Sequence, residues 1–167
     1  KVHAVYEEAF WRKECLSGSA AGNLATCEFI ADSSPPNGKP GILTSFIAAD
    51  RNKELTGLST DEIRRLVLTD FEQYFGKEVW NNKDFFYMNW NEQLWTTGAF
   101  TAFVKPGGWT SCGEQGWRKP IGDIFWAGTE TADRWPGYFD GAVRAGKLAS
   151  LAVLEKFISH EEECHCV

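Results

Sequence analysis

The sequence predicts a mixed fold, α+β in its first part and α/β in character at its end. An antiparallel sheet and one amphipathic helix come first, and a final strand then turns through a glycine-rich corner into a long helix. Three observations carry this. Short β-rich runs recur at 2–7, 26–31, 42–48 and 85–90. A Ser-x-x-Glu pattern at Ser59–Glu62 opens a stretch of helical periodicity. The apolar run Ile121–Ala127 leads through Gly128 into a helical stretch at Gly137–Phe157.

Val2–Glu7 places Val, Ala and Tyr in a strand-like pattern and runs into Phe10-Trp11, which suits a strand entering a packed aromatic turn. Residues 32–41, Asp-Ser-Ser-Pro-Pro-Asn-Gly-Lys-Pro-Gly, separate Thr26–Ala31 from Ile42–Ala48, so these two runs predict an antiparallel pair joined by a long loop. After the capping box, Ile63, Leu66, Val67, Phe71 and Tyr74 recur at helical spacing, and the helix should end near Gly76. Phe85–Trp90 is an aromatic strand candidate. Thr96–Gly108 is loop-like around the short apolar run Ala99–Val104. Ile121–Ala127 reads as a buried strand, Gly128-Thr129-Glu130 as its exit and Gly137–Phe157 as a helix.

Composition narrows the function classes. At 167 residues, 43% hydrophobic and 24% charged, the chain is too apolar for a disordered tail and should fold around a core. Seventeen Lys and Arg against 23 Asp and Glu give a net charge of −6, which speaks against nucleic acid as a partner. A membrane crossing needs ~20 apolar residues, and the best candidate, Leu148–Ile158, is broken by Ser150, Glu155 and Lys156. The chain starts at Lys1 without a leader or cleavage site, so it reads as a piece of something longer with no targeting signal in view. Five cysteines (Cys15, Cys27, Cys112, Cys164 and Cys166) are an odd number without the density of a disulfide-stapled domain, which favours a reducing, intracellular setting. The tail His160–Cys166 carries metal-ligating side chains without a second, distant ligand pair, and a frayed terminus is the expectation there.

A strand that leaves through Gly128 and Thr129 towards a helix N-terminus offers backbone amides and the positive end of a helix dipole to a carbonyl-rich or anionic group. Such corners are also common in proteins that bind nothing. The surrounding residues are more specific. Ile124-Phe125-Trp126-Ala127-Gly128-Thr129-Glu130-Thr131-Ala132, followed by Trp135-Pro136-Gly137-Tyr138-Phe139-Asp140-Gly141-Ala142, resembles the C-terminal flavin-binding segment of the monoamine oxidases. Lys1–Trp11, with Phe10-Trp11-Arg12-Lys13, resembles that family's strand carrying the active-site lysine, and Trp90 with Thr97–Phe103 resembles its flavin-facing loop. The likeness runs in order over residues 1–157.

The resemblance implies the C-terminal part of a two-domain flavin amine oxidase. Residues 1–95 would belong to an antiparallel-sheet substrate domain, 96–158 would supply the last strand and helix of the FAD-binding domain, and 159–167 would be a disordered tail. The family's Gly-x-Gly-x-x-Gly signature is absent from these residues. The implied activity is oxidation of an amine to an imine, hydrolysed to an aldehyde, with O2 reduced to hydrogen peroxide. Residue by residue, Lys1 would hold a water beside the isoalloxazine and Trp90 would pack near the ring. Gly128, Thr129, Glu130, Gly137, Tyr138 and Phe139 would line the flavin. Phe100 and Tyr138 match the aromatic cage that guides the amine, and Phe46 a pocket-lining aromatic.

Two positions depart from the animal enzymes. Ala99 stands where they have a cysteine bonded to the flavin, so the expected FAD is noncovalent, and Phe100 replaces a tyrosine. The partners implied are a small amine and O2, and the likeness allows a homodimer of the full-length protein. Read without the resemblance, Trp90, Phe46 and Phe100 are core aromatics, Lys1 a solvated end and Glu130 a turn cap. The competing functions are an L-amino-acid oxidase, which needs an arginine for the carboxylate, then a polyamine oxidase, and from another class a noncatalytic, tryptophan-rich interaction module. The isolated chain is expected to be inactive and to expose apolar surface.

Overall fold

The computed structural model describes residues 1–99, 104–111 and 116–164. The chain divides into two units, Lys1–Gln93 and Leu94–Val167.

The first unit is a five-stranded antiparallel sheet backed by a helix. Its strands are β1 (Val2–Tyr6), β2 (Ala20–Ala21), β3 (Phe29–Asp32), β4 (Gly41–Phe46) and β5 (Asp84–Tyr87), in the order β2-β3-β4-β1-β5. The hairpin expected across 32–41 is β3–β4, with Phe29 opposite Phe46 and Asp32 opposite Leu43. β1 lies between β4 and β5, with Val2 opposite Ser45 on one side and Tyr87 on the other. Period-2 alternation then gives the sheet a buried face, including Val2, Ala4, Tyr6, Ile30 and Leu43. Helix α1 (Ala49–Glu54) follows β4, and α2 (Thr60–Phe75) supplies Ile63, Val67, Leu68 and Phe71 to the same core.

Local chemistry sets the limits of α2. The Ser59 hydroxyl accepts from the Glu62 amide, the Glu62 carboxylate accepts from the Ser59 amide, and Gly76 ends the helix at φ 78°. Asp70, 2% exposed, projects from α2 and accepts from the amides of Thr26 and Cys27, both at 2.7 Å. This fixes the approach to β3. The aromatic turn after β1 is a 3-10 turn, Phe10–Glu14, in which Tyr6, Phe10 and Trp11 pack edge to face. Trp11 is fully buried, and its indole N–H donates to Asp32 at 2.9 Å. Gly41 allows the start of β4 to pass under Glu8, because a Cβ there would stand 2.4 Å from the Glu8 carbonyl.

The second unit holds a short helix α3 (Gly108–Ser111), 3-10 turns at Gly116–Arg118 and Thr129–Thr131, and the long helix α4 (Phe139–Cys164). The strand predicted at Ile121–Ala127 does not form. Ile121 and Ile124 bond to each other across a tight turn at Gly122-Asp123, and both are exposed. A strand needs a neighbour to receive its amides and carbonyls, and no strand lies beside 121–127 among the described residues. The helix expected at 137–157 begins two residues later, at Phe139, and its bounds take in the first part of the 159–167 segment. Side-chain bonds link the loops: Arg118 donates to the carbonyls of Thr131 and Ala132 at 2.9 and 2.8 Å, and Arg144 forms a two-pronged pair with Asp133 at 3.0 and 2.9 Å.

Candidate functional site

The site residues anticipated from the sequence fall in both units, and each set has its own construction. In the first unit, sheet register places Lys1. Its backbone nitrogen donates to the Met88 carbonyl and its carbonyl accepts from the Met88 amide, both at 2.9 Å, which extends the β1–β5 ladder by one pair. On the β4 side, Val2 opposite Ser45 brings Phe46 next to Lys1, and the Lys1 ammonium lies 5.4 Å from the centre of the Phe46 ring. Both side chains lie on the face turned away from α2. Phe46 is 40% exposed, so it is not the core aromatic that its type alone suggests.

Trp90 opens a 3-10 turn, Trp90–Glu92, just past β5 and is 39% exposed. A polar strap anchors this turn. Asn89 accepts from the Asn91 amide and from the Asn52 side chain, at 3.2 and 3.1 Å, and the Tyr87 hydroxyl bonds Asn52 at 3.3 Å. Sequence reasoning missed the strap, because Asn52 is 37 positions from Asn89 and no local pattern joins them.

Beside Lys1 on the same face, His3 Nδ1 and Thr44 Oγ1 are 2.8 Å apart across β1 and β4. Partial burial and the nearby Lys1 charge lower the His3 pKa, so its ring is neutral near pH 7. This pair was also missed; the signal, a histidine two positions from Lys1 and therefore on its side of the strand, was present. Cys27 lies in the core, and burial pushes its thiol up to about 12.

In the second unit the predicted corner exists as a loop. Gly128, at φ 140°, precedes the Thr129–Thr131 turn, whose Thr131 amide and hydroxyl donate to the Gly128 carbonyl at 3.1 and 2.9 Å. The Thr129 hydroxyl donates to the Tyr138 carbonyl at 2.9 Å, which ties the corner to the start of α4. Gly137 takes φ 85°, and a Cβ on Gly141 would lie 2.2 Å from the Trp135 carbonyl, so the first turn of α4 sits tight against the preceding loop. Gly128, Thr129, Glu130, Gly137, Tyr138 and Phe139 are therefore neighbours.

Tyr138 is 67% and Phe139 93% exposed, a high value for rings beside a helix N-terminus. Exposed aromatics next to the positive end of a 26-residue helix offer a stacking surface and a positive potential to a flat aromatic group that carries carbonyl oxygens. Ala99 is exposed, while Phe100 lies outside the described residues, as do the side chains of His160–Cys166. No group of three or more metal-ligating side chains occurs among the described residues. The described helices include none long and apolar enough to cross a membrane.

Residues 1–154 match the family described as flavin containing amine oxidoreductase. The L-amino acid dehydrogenase of Synechocystis sp. is 40% identical over 154 residues, 92% of this chain and 32% of that protein. A Mycobacterium tuberculosis protein provisionally named flavin-containing monoamine oxidase AofH is 41% identical over 154 residues, 92% of this chain and 33% of its own length. A putrescine oxidase solved with putrescine bound superposes with a TM-score of 0.84 at 28% identity, covering 93% of this chain and 34% of that one. The chain thus spans about a third of the length of the proteins it matches.

Proposed function

Because the chain belongs to the flavin-containing amine oxidoreductase family, we propose that it forms the flavin-orienting and substrate-lining part of an FAD-dependent amine oxidase. The observation that carries this reading is the corner Gly128–Glu130, bonded to the start of α4 beside the exposed rings of Tyr138 and Phe139. When bound, FAD supplies the two-electron acceptor that takes an amine to an imine, with O2 as the final oxidant and hydrogen peroxide as product. The side chains of this chain orient and exclude. The amides opening α4 favour negative charge on the pyrimidine end of the flavin. Lys1, steadied over Phe46, and Trp90 would face the flavin from the sheet, Lys1 as the group that could hold a water or a proton beside it. By the family likeness Tyr138 and Phe100 would be the aromatics that guide the amine, and Phe46 a pocket-lining aromatic.

Ala99 carries no thiol, so the FAD is held noncovalently. The test is the visible spectrum of the natural-length protein, repeated after acid precipitation. Flavin colour released to the supernatant is the expected result; colour retained in the pellet would overturn noncovalent binding, and a colourless folded protein would overturn the enzyme itself. Ala99→Cys should move part of the colour into the pellet.

A second reading, oxidation of an L-amino acid, is supported by the 40% identity to an L-amino acid dehydrogenase. It requires an arginine for the carboxylate. Arg12, Arg64, Arg118 and Arg144 are already bonded to Asp32, Asn82, backbone carbonyls and Asp133, whereas Arg51 bonds Asn23 through Nη2 and keeps a buried Nη1 without a hydrogen-bond partner among the described residues, which makes it the arginine to test. Comparing a simple amine with its α-carboxylate counterpart, by peroxide release, separates the two readings.

A further inference from the structure

We propose that the His3–Thr44 pair is a specificity element that selects aryl amines bearing a hydroxyl group. This deepens the reading given above and rests on it. Strand pairing sets the argument. Residues on the Lys1 side of the sheet are those opposite one another in the register Phe29–Phe46 and His3–Thr44, with Phe86 opposite His3 on β5. Besides Lys1 and Asp84, His3 and Thr44 are the polar side chains that β1, β3, β4 and β5 place on this face. Around them lie Phe29, Phe46 and Phe86, at 46%, 40% and 58% exposure, a surface suited to an aromatic ring. Thr44 is buried and His3 half-buried, so the ring nitrogen left over is partly withdrawn from water and is matched by a ligand that completes its hydrogen bonds.

The pair specifies what that ligand carries. His3 Nδ1 is engaged by Thr44 Oγ1 at 2.8 Å, and His3 Nε2 has no partner among the described residues. A neutral imidazole coupled to a hydroxyl that can turn over presents Nε2 as acceptor or as N–H donor. An alcohol or phenol, itself both donor and acceptor, complements it in either state. A second ammonium would meet the Lys1 charge two residues, or about 7 Å, along the strand. A carboxylate, an acceptor only, would be served by the pair in the N–H donor state alone, whereas a hydroxyl is served in both.

The test uses the natural-length protein with 2-phenylethylamine and its 4-hydroxy counterpart, reading kcat/KM for each together with flavin absorbance per chain. The parent should prefer the hydroxylated amine. His3→Leu should lower the ratio of the two values about fivefold to tenfold, the scale of a neutral hydrogen bond lost from a half-buried site. Thr44→Val should lower it less, and His3→Gln should restore part of it by returning a polar group near Nε2. A ratio that stays the same in a flavin-loaded His3→Leu protein overturns the proposal, as does a parent without preference. Loss of flavin or of turnover with both amines in the parent overturns the amine-oxidase reading and takes this one with it.

Discussion

The two units of the chain use their apolar residues in opposite ways. The first gathers Trp11, Ile30, Leu43, Val67 and Phe71 into a sealed core between sheet and helix. In the second, Ala132 and Ala145 are the buried apolar residues among those described, while Leu148, Leu151, Leu154, Phe157 and Ile158 of α4 stay exposed. The hydrophobic effect therefore holds the first unit together, whereas hydrogen bonds from Arg118 to loop carbonyls and the Arg144–Asp133 ion pair trace the second. An apolar helix that finds no partner in its own unit is a surface awaiting one. The difference shows that α4 keeps its helical bounds without a buried apolar face among the described residues.

The largest expected effect tests that contrast directly. Phe71→Ala should cost the first unit ~3–5 kcal/mol, the usual range for deleting a buried ring. Leu151→Ala, 55% exposed, should change the isolated chain by less than ~0.5 kcal/mol. Denaturant titration of both variants decides it, and a core-sized loss at Leu151 in the isolated chain would break the comparison. In a longer chain that covers α4, the same substitution should be more costly.

Next comes Asp70→Ala, which strands the buried amides of Thr26 and Cys27 and should cost ~2–4 kcal/mol in the same titration. A smaller effect, with a pH signature, belongs to Asp32. Burial works to raise its pKa, but hydrogen bonds from Ser34, Trp11 and Arg12 outweigh it and hold the carboxyl below its usual value. A depressed carboxylate adds stability above its unfolded pKa of ~3.9, and that stability disappears as pH falls through the folded value. Asp32→Asn should therefore flatten the acid limb of the first unit's stability curve. The smallest effect is Arg144→Gln. Its partner Asp133, held down to about 2 by the Arg144 hydrogen bond, is on the surface, so the change should speed amide exchange in the first turn of α4 without moving the unfolding midpoint.

Legibility in the sequence followed the range of the interactions. Helix α2 was readable because Ser59, Glu62 and the spacing of Ile63, Val67 and Phe71 are local signals. The β3–β4 hairpin was readable from its Pro- and Gly-rich connection. The two-residue edge strand β2 left no pattern to read, and Ile121–Ala127 misled because an apolar run records burial somewhere without recording what it is buried against. Lys1 and Phe46 were each named from a family likeness, yet their stacking depends on a register across 45 positions that a single sequence does not display. The His3–Thr44 pair was hidden for the same reason.

Cys27 turns the first unit's solidity into something that can be timed. Alkylating reagents attack thiolates, and this thiol is both enclosed and, with its pKa pushed up to about 12, protonated at neutral pH. Exposed Cys15 should react at once, whereas Cys27 must wait for the segment pinned by Asp70 to swing away from α2. The delay between the two modifications, followed by mass spectrometry, is a clock for the breathing of the sheet's inner face, and it needs neither cofactor nor substrate to run.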